Sequence, residues 1–157
     1  MKILVVVYSR TGNTLSVARR IAEYLEANLE VIDDKTNRKG VLGFLRSGYE
    51  ALMKRIPAIA EPKQDPGNYD LVIIGTPIWA GQMSSPIRAY LTRFKGRFKQ
   101  VALFATSGTG GHVKAFEEMA EISGAKLVAT MELTMEQLKR GGGDWDSIKS
   151  FIEKVSS

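Results

Sequence analysis

The sequence predicts an open α/β fold, in which helices cover both faces of a parallel sheet. Three observations support this prediction. Five short apolar runs recur along the 157 residues, helical patterns separate most of them, and three loops are rich in glycine and hydroxyl side chains. Continuous apolar runs are typical of strands that are buried on both faces, as they are in a parallel sheet.

The five apolar runs are the expected strands. They lie at residues 3–7, 29–32, 71–74, 101–105 and 127–131. Each run is only four or five residues long, which is the length of a strand and too short for a typical helix. We therefore expect five parallel strands, joined by right-handed crossovers.

Apolar residues at spacings of three and four predict the helices. One pattern follows the first run from Leu15, and a second follows Pro86, which suits a first helical turn. A third ends at Gly124, a residue that commonly follows the last turn of a helix. The last pattern begins after Asp144, which is a favourable N-cap residue.

The connection between the second and third runs is longer than one helix and its loops require. Residues 35–63 contain seven Lys and Arg against two Glu, a surplus of positive charge that equals the net charge of +5 for the whole chain. Within it an apolar row recurs at helical spacing: Val41, Leu45, Tyr49, Leu52 and Ile56. We expect the row to pack on the sheet. We also expect residues 35–43 to overhang the carboxyl edge, where their charges attract an anionic partner.

Composition excludes several classes of protein. There is no cysteine, so disulfides, zinc–thiolate sites and thiol nucleophiles are ruled out. The N-terminal apolar run is too short for a signal peptide, and no stretch reaches the about 18 apolar residues of a membrane span. We expect a single cytoplasmic domain over residues 1–157, with no integral membrane association. Because the positive charge is confined to one segment, general nucleic-acid binding is not expected.

The loop YSRTGNT joins the first strand to the first helix. Unpaired N–H groups and the positive end of the helix dipole attract an anion there. Ser9, Thr11, Asn13 and Thr14 add side-chain donors, and Gly12 lets the backbone approach closely. The loop lacks the lysine of a nucleotide-triphosphate loop, so ATP or GTP chemistry is not expected. The alternative is that Ser9 or Thr11 simply caps the helix.

The other two loops supply a plane and further donors. Trp79 follows Pro77 and precedes Gly81, so its ring is either a stacking surface or a plug of the core. The loop from Thr106 offers N–H groups and hydroxyls but no general base, and His112 is expected to be an exposed surface residue. Together the loops indicate a flat phosphorylated ligand that supplies its own chemistry, with no catalytic side chain and no metal.

These motifs resemble those of flavodoxins. YSRTGNT is similar to their phosphate loop [ST]-x-T-G-x-T, while GTPIWAGQMSSPIRAYL and FATSGTGG resemble their loops after the third and fourth strands. The resemblance covers almost the whole chain. It implies a flavodoxin-like three-layer sandwich whose five-stranded parallel sheet has the order 2-1-3-4-5, with FMN at the carboxyl edge.

The resemblance also implies which residues hold FMN. The phosphate would lie in the first loop, with Arg10 turned to solvent, and the isoalloxazine would lie against the second and third loops. The residues so implied are Ser9, Arg10, Thr11, Gly12, Asn13, Thr14, Thr76, Pro77, Ile78, Trp79, Ala80, Gly81, Thr106, Ser107, Gly108, Thr109, Gly110 and Gly111.

Three functions follow from the resemblance and stay open. The protein is an electron carrier between redox proteins, or an FMN-dependent reductase of a small quinone-like acceptor with NAD(P)H as donor, or a non-redox binding module on the same fold. The basic charge and the segment 35–63 differ from carrier flavodoxins, and the third loop lacks their usual tyrosine. These departures fit flavodoxin-like reductases, which include quinone reductases and a protoporphyrinogen-oxidising branch.

Overall fold

The computed structural model describes residues 1–108, 110–140 and 144–157, and a parallel sheet lies at its centre. The main strands are β1 (Ile3–Val7), β2 (Asn28–Val31), β3 (Leu71–Trp79), β5 (Gln100–Ser107) and β6 (Lys126–Thr134), in the order β2-β1-β3-β5-β6. A short strand, β4 (Gln82–Met83), pairs antiparallel with the end of β3. Counting the parallel strands alone, the order is 2-1-3-4-5, which confirms the expected fold class.

Helices cover both faces of the sheet. They are α1 (Asn13–Leu25), α2 (Gly40–Leu52), α3 (Ser85–Arg93), α4 (His112–Ser123), α5 (Met135–Lys139) and α6 (Trp145–Ser156). One core lies between the sheet and helices α1 and α6, and the other lies between the sheet and helices α3 and α4. Among the described helices none is long and apolar enough to cross a membrane.

Alternation along β1 shows why the strands are continuously apolar. Leu4 and Val6 belong to the core beneath α3 and α4, while Val5 and Val7 belong to the core beneath α1 and α6. Successive side chains of a strand point to opposite faces, so the central strand β1 places apolar side chains in both cores. The edge strands β2 and β6 are less covered, since Val31 and Leu127 are 45% and 40% exposed.

The expected loop after the third strand is instead a β-hairpin. Strand β3 continues to Trp79, and Ala80 and Gly81 form the two-residue turn to β4. Both turn residues have positive φ, 51° and 73°, as a type I′ hairpin turn requires. Proline is disfavoured in the interior of a sheet, but β1 pairs with β3 only as far as Gly75. Pro77 thus lies on a locally open edge, where proline is tolerated.

The expectation that the apolar row of α2 packs on the sheet is wrong. Val41, Leu45, Tyr49, Leu52 and Ile56 are all exposed. The face of α2 that packs inward consists of small or polar residues: Gly43, Ser47, Glu50 and Ala51.

A buried cation explains this orientation of α2. Arg38 is 5% exposed and donates hydrogen bonds to Asp34, to Ser47 (3.2 Å) and to Glu50 (2.8 Å). It also donates to Ser85 at the start of α3, at 3.2 Å. A buried charge is costly unless it is paired, so the helix turns its carboxylate and hydroxyl inward.

Two features near the C-terminus differ from the sequence prediction. Asp144 stands at the N-cap of α6 with φ 58°, but its side chain makes no capping bond to the helix backbone. Helix α5 was not predicted, although a capping box marks its start: Thr134 Oγ1 accepts from the Gln137 N–H at 3.2 Å, and Gln137 Oε1 accepts from the Thr134 N–H at 2.8 Å.

Candidate functional site

A cleft of about 600 Å³ opens at the carboxyl edge of the sheet. This volume lies within the about 300–1,000 Å³ that small-molecule sites occupy. All three of the predicted loops contribute to its wall. Eleven of the expected site residues line the cleft: Arg10, Thr11, Asn13, Thr14, Pro77, Ile78, Trp79, Ala80, Thr106, Ser107 and Gly108.

The first loop leaves the N-terminus of α1 without a side-chain cap. Gly12 is the N-cap residue, has φ 101°, and no side-chain capping hydrogen bond is made to the start of the helix. Ser9 Oγ instead accepts the Gly12 N–H at 3.0 Å, which stabilises the loop itself. The alternative that Ser9 or Thr11 caps the helix is therefore wrong. The exposed Thr11 hydroxyl and the N–H groups of the first turn can reach an anion in the cleft.

Thr14 connects the first loop to the third. Its Oγ1 lies 2.8 Å from Thr106 Oγ1, and both side chains are buried. This hydrogen bond joins the start of α1 to the end of β5, directly beneath the cleft. Thr14 and Thr106 therefore hold the two loops in register, in addition to any contact that they make with a ligand.

Trp79 forms part of the cleft wall and is held from two sides. Its ring meets the Tyr8 ring edge to face, with centroids 5.6 Å apart. The Arg38 guanidinium lies over it, 5.0 Å from the ring centroid. Burial, with a contribution from Asp34, raises the pKa of Tyr8 to about 12, so Tyr8 stays neutral beside the tryptophan. The half-buried indole packs against the core beneath α3 and α4 and also forms part of the cleft wall.

Thr76 and Gly81 lie away from the cleft. The Thr76 hydroxyl is fully buried, donates to the Pro77 carbonyl at 2.9 Å and accepts the Ser84 N–H at 3.0 Å. The bond with Ser84 connects β3 to the residue that follows β4, so Thr76 stabilises the hairpin that carries Trp79. Gly81 is exposed at the turn.

The third loop continues the wall as far as Gly108. Ser107 Oγ accepts the Gly110 N–H at 3.0 Å and lies 3.3 Å from Glu132 Oε1. Gly110 and Gly111 do not line the cleft, and the predicted residue Thr109 lies outside the described residues. His112 is half-buried against Glu132 and Phe116, so its expected exposure is wrong.

Arg10 does not face solvent as expected. Its guanidinium donates to the carbonyl oxygens of Arg38, at 3.0 Å, and Gly40, at 3.1 Å. It also lies over the Phe44 ring, 5.8 Å from the centroid. Arg10 therefore ties the first loop to the start of α2 and brings that helix to the mouth of the cleft.

The opposite wall of the cleft was not predicted. Helix α2 supplies most of it, and α5 adds one side chain: Phe44, Leu45, Ser47, Gly48, Tyr49, Leu52 and Met135. Three of these belong to the apolar row that the sequence made visible. What the sequence did not reveal is the direction in which the row points, because that depends on the buried Arg38.

The cleft itself has little capacity for acid–base chemistry. Among the described residues that line it, Arg10 is the only one with a charge at neutral pH. No group of three or more His, Asp or Glu residues suitable for a metal occurs in the ranges that the structure describes.

Comparisons with known proteins all indicate the same family for this chain. The model of the Flavodoxin family matches residues 2–140. A flavoprotein from Lactobacillus acidophilus NCFM, solved in complex with FMN, is 25% identical over 83% of this chain and 92% of its own, with a TM-score of 0.73.

Two other solved structures extend over nearly the whole chain. A Bacteroides uniformis ATCC 8492 protein, provisionally assigned as a flavoprotein, is 26% identical over 97% of both chains, with a TM-score of 0.79. Oxidised flavodoxin 2 from Bacillus cereus is 20% identical over 99% of this chain and 98% of its own, with a TM-score of 0.64, and this similarity concerns the fold alone.

Proposed function

Because the chain belongs to the flavodoxin family, we propose that it is a redox flavoprotein that binds FMN in the cleft at the carboxyl edge of the sheet. One observation carries the proposal. The N-terminus of α1, which has no side-chain cap, and the ring of Trp79 on the hairpin of β3 and β4 border the same cleft. An anion site beside an aromatic plane suits a phosphorylated flat ligand, and the FMN complex of the Lactobacillus acidophilus relative supports the same choice.

The residues of the chain would bind and orient the cofactor. The Thr11 hydroxyl, the Asn13 amide and the N–H groups at the start of α1 would hold the phosphate. Pro77, Ile78 and Trp79 would border the ring system, and Ser107 and Gly108 would close its far edge. FMN would supply the electron-transfer chemistry, and the described lining residues, which include no carboxylate, histidine or lysine, would hold it in place.

The role of the phosphate gives the direct test. Isothermal titration of the apo-protein should show FMN binding at least about tenfold more tightly than riboflavin, since charge-assisted hydrogen bonds contribute roughly 1.5–3 kcal/mol each. FAD tests whether the cleft accepts an adenylate as well, and we expect it to bind more weakly than FMN. Equal affinity for FMN and riboflavin would remove the phosphate site from the proposal.

A reductase is the second candidate, and the apolar wall formed by α2 favours it. Phe44, Leu45, Tyr49 and Leu52 line the cleft and are still more than half exposed. An apolar planar acceptor, such as a quinone, would find contacts there beside the flavin. A pure electron carrier has no need of such a wall.

Reduction experiments separate the two candidates. The FMN-loaded protein is titrated with dithionite, and separately mixed with NADH and with NADPH in a stopped-flow instrument. Fast loss of the flavin absorbance with a nicotinamide, followed by reoxidation with a soluble quinone, is expected of a reductase. No reduction by either nicotinamide, together with one-electron exchange with a redox protein, would favour the carrier. A protein that binds no flavin under any condition would favour a binding module.

A further inference from the structure

Helix α2 and the turn after it expose an unusual number of large apolar side chains. Of the thirteen large apolar residues that are exposed in the described part of the chain, eight lie between residues 41 and 56. We call these eight the α2 apolar face: Val41, Leu42, Phe44, Leu45, Tyr49, Leu52, Met53 and Ile56. Apolar residues scattered singly on a surface need no explanation, but a contiguous group marks an interaction site.

The exposure of this face follows from the way that the helix is anchored. Gly43, Ser47, Glu50 and Ala51 form the packed side of α2, and three of them interact with Arg38. Rotating the helix to bury the apolar side chains would break these buried ion pairs and hydrogen bonds. Successive residues of a helix are about 100° apart, so the order around the axis of α2 differs from the order in the chain. Seven residues of α2 follow one another over an arc of about 160°, from Phe44 to Leu42, and none of them is charged: Phe44, Gly48, Val41, Leu52, Leu45, Tyr49 and Leu42.

The cleft accounts for only part of the face. Phe44, Leu45, Tyr49 and Leu52 line it, but Val41, Leu42, Met53 and Ile56 do not. Val41 and Leu42 are 75% and 82% exposed, which makes Leu42 the most exposed large apolar side chain that the structure describes. These four residues lie outside any contact that a ligand in the cleft could make.

Positive charge surrounds the α2 apolar face. Lys35, Lys39 and Arg55 are exposed and, among the described residues, have no carboxylate partner. Two nearby acidic groups, Asp34 and Glu50, pair with Arg38 inside the molecule, whereas the exposed Glu61 pairs with Arg93. Burial raises the pKa of Glu50, but hydrogen bonds from Arg38, Arg46 and Ser85 outweigh it and hold the pKa below its usual range. Glu50 is therefore an anion that is neutralised internally.

Charge and composition decide which occupant fits the face. A second copy would place one basic rim against another. Protein partners contribute about one hydrogen bond per 100–200 Å² of interface, yet the arc from Phe44 to Leu42 offers only the Tyr49 hydroxyl as a polar side chain. A uniformly apolar helix face with basic flanks is typical of helices that lie in the interface of a bilayer with anionic lipids.

We propose that α2 docks this protein peripherally on an anionic membrane surface, with its apolar face in the acyl boundary and its basic rim among the headgroups. Docking in this way turns the α2 wall of the cleft toward the bilayer. The inference concerns attachment only, so it stands or falls separately from FMN binding.

Vesicle binding tests the proposal directly. The purified protein is sedimented with vesicles of phosphatidylcholine alone and of phosphatidylcholine mixed with phosphatidylglycerol. We expect at least about tenfold stronger binding to the anionic vesicles, weakened by salt because the basic rim contributes electrostatically. Absence of binding to the mixed vesicles at low salt would overturn the proposal.

Matched variants identify the surface that binds. Val41→Ser/Leu42→Ser should reduce vesicle binding by about tenfold or more, and Lys39→Gln/Arg55→Gln should remove the preference for anionic lipid. Tyr24→Ser is the control, because Tyr24 is 56% exposed on α1, on the opposite face of the sheet. FMN titration of each variant shows whether the fold and the cleft are intact. All five changed residues lie outside the cleft wall.

Two outcomes would assign the face to another occupant. If light scattering shows a dimer that Val41→Ser/Leu42→Ser dissociates while vesicles do not bind, the face is covered by a second copy. If vesicles do not bind and an acidic redox protein protects this face from hydrogen exchange in the absence of lipid, it is a protein-docking site. Either result contradicts attachment to a membrane.

Discussion

At the residue scale, Thr11 and Thr14 have different roles although both are hydroxyl residues of one loop. Thr11 is exposed at the cleft, whereas Thr14 is 2% exposed and bonds to Thr106. Thr11→Ala should weaken FMN binding about tenfold or more and leave stability nearly unchanged, because it removes a donor to the phosphate. The measurements are isothermal titration and urea unfolding of the apo-protein.

Thr14→Ala is the matched comparison for this prediction. It leaves the Thr106 hydroxyl buried without its partner, so the free energy of unfolding should fall by about 1–3 kcal/mol. If Thr11→Ala lowers stability as much as Thr14→Ala does, Thr11 supports the loop and does not bind the ligand.

Trp79 offers a spectroscopic test of the cleft. The chain has two tryptophans, and Trp145 lies on α6 beside Tyr24. In Trp145→Phe, which leaves Trp79 as the single emitter, FMN should quench most of the fluorescence, and removing FMN should restore it. In Trp79→Phe we expect much weaker quenching. Equal quenching in the two variants would place Trp79 away from the flavin.

Glu50 connects the buried network to pH. Although burial disfavours its charge, hydrogen bonds from Arg38, Arg46 and Ser85 hold its pKa below 4.5 in the folded protein. A folded-state pKa below the unfolded value means that Glu50 stabilises the fold above about pH 4.5, and that this contribution is lost as the pH falls through its folded value.

The variant Glu50→Gln measures that contribution. At neutral pH we expect a loss of about 3–5 kcal/mol, since Arg38 is left with an uncompensated part of its buried charge. The difference from the wild type should shrink below about pH 4.5, as measured by denaturant unfolding across pH. A difference that stays constant from pH 7 to pH 3 would show that the carboxylate charge is not what stabilises this site.

At the element scale, two glycines of α2 test how the helix is packed. A Cβ at Gly43 would lie 2.0 Å from the Arg38 carbonyl carbon, whereas a Cβ at Gly48 would meet nothing within 4 Å. Gly43→Ala should therefore destabilise the protein by about 1–3 kcal/mol through overpacking. Gly48→Ala should be neutral or stabilising by up to about 1 kcal/mol, because alanine is the better helix former.

Thermal unfolding of both variants makes this comparison. The close approach of Gly43 to Arg38 is what turns the apolar face of α2 outward, so Gly43→Ala should also increase hydrogen exchange in α2. If the two substitutions have the same effect on the melting temperature, α2 is not anchored through Gly43.

At the scale of the whole molecule, binding of FMN should stabilise the fold by mass action. Free ligand at about 100 times its dissociation constant adds about 2.7 kcal/mol. For a chain of 157 residues this corresponds to an increase of about 5–10 °C in the melting temperature. Riboflavin at the same concentration is the control and should give a smaller increase. An equal increase with the two ligands would contradict a phosphate site at α1.

The sequence alone determined the layered fold and much of one wall of the cleft. Continuous apolar runs indicate a sheet that is buried on both faces, and the first loop is a local motif whose helix, glycine and hydroxyls are contiguous in the chain. Residues such as Thr11 and Asn13 could be assigned for this reason, and their part in binding FMN stays a prediction. The hairpin of β3 and β4 was not predicted, and the edge that accommodates its Pro77 exists only because the pairing with β1 ends at Gly75.

Only the tertiary structure decided the opposite wall of the cleft. The apolar row of α2 was visible in the sequence, but its direction depends on Arg38, whose partners Asp34, Glu50 and Ser85 come from three separate segments. A buried cation needs partners that the chain brings together only on folding, so no local sequence pattern indicates which residues pair with Arg38. The same pairing turned an expected core face into an exposed one, because burial of a charge outweighed burial of the apolar row.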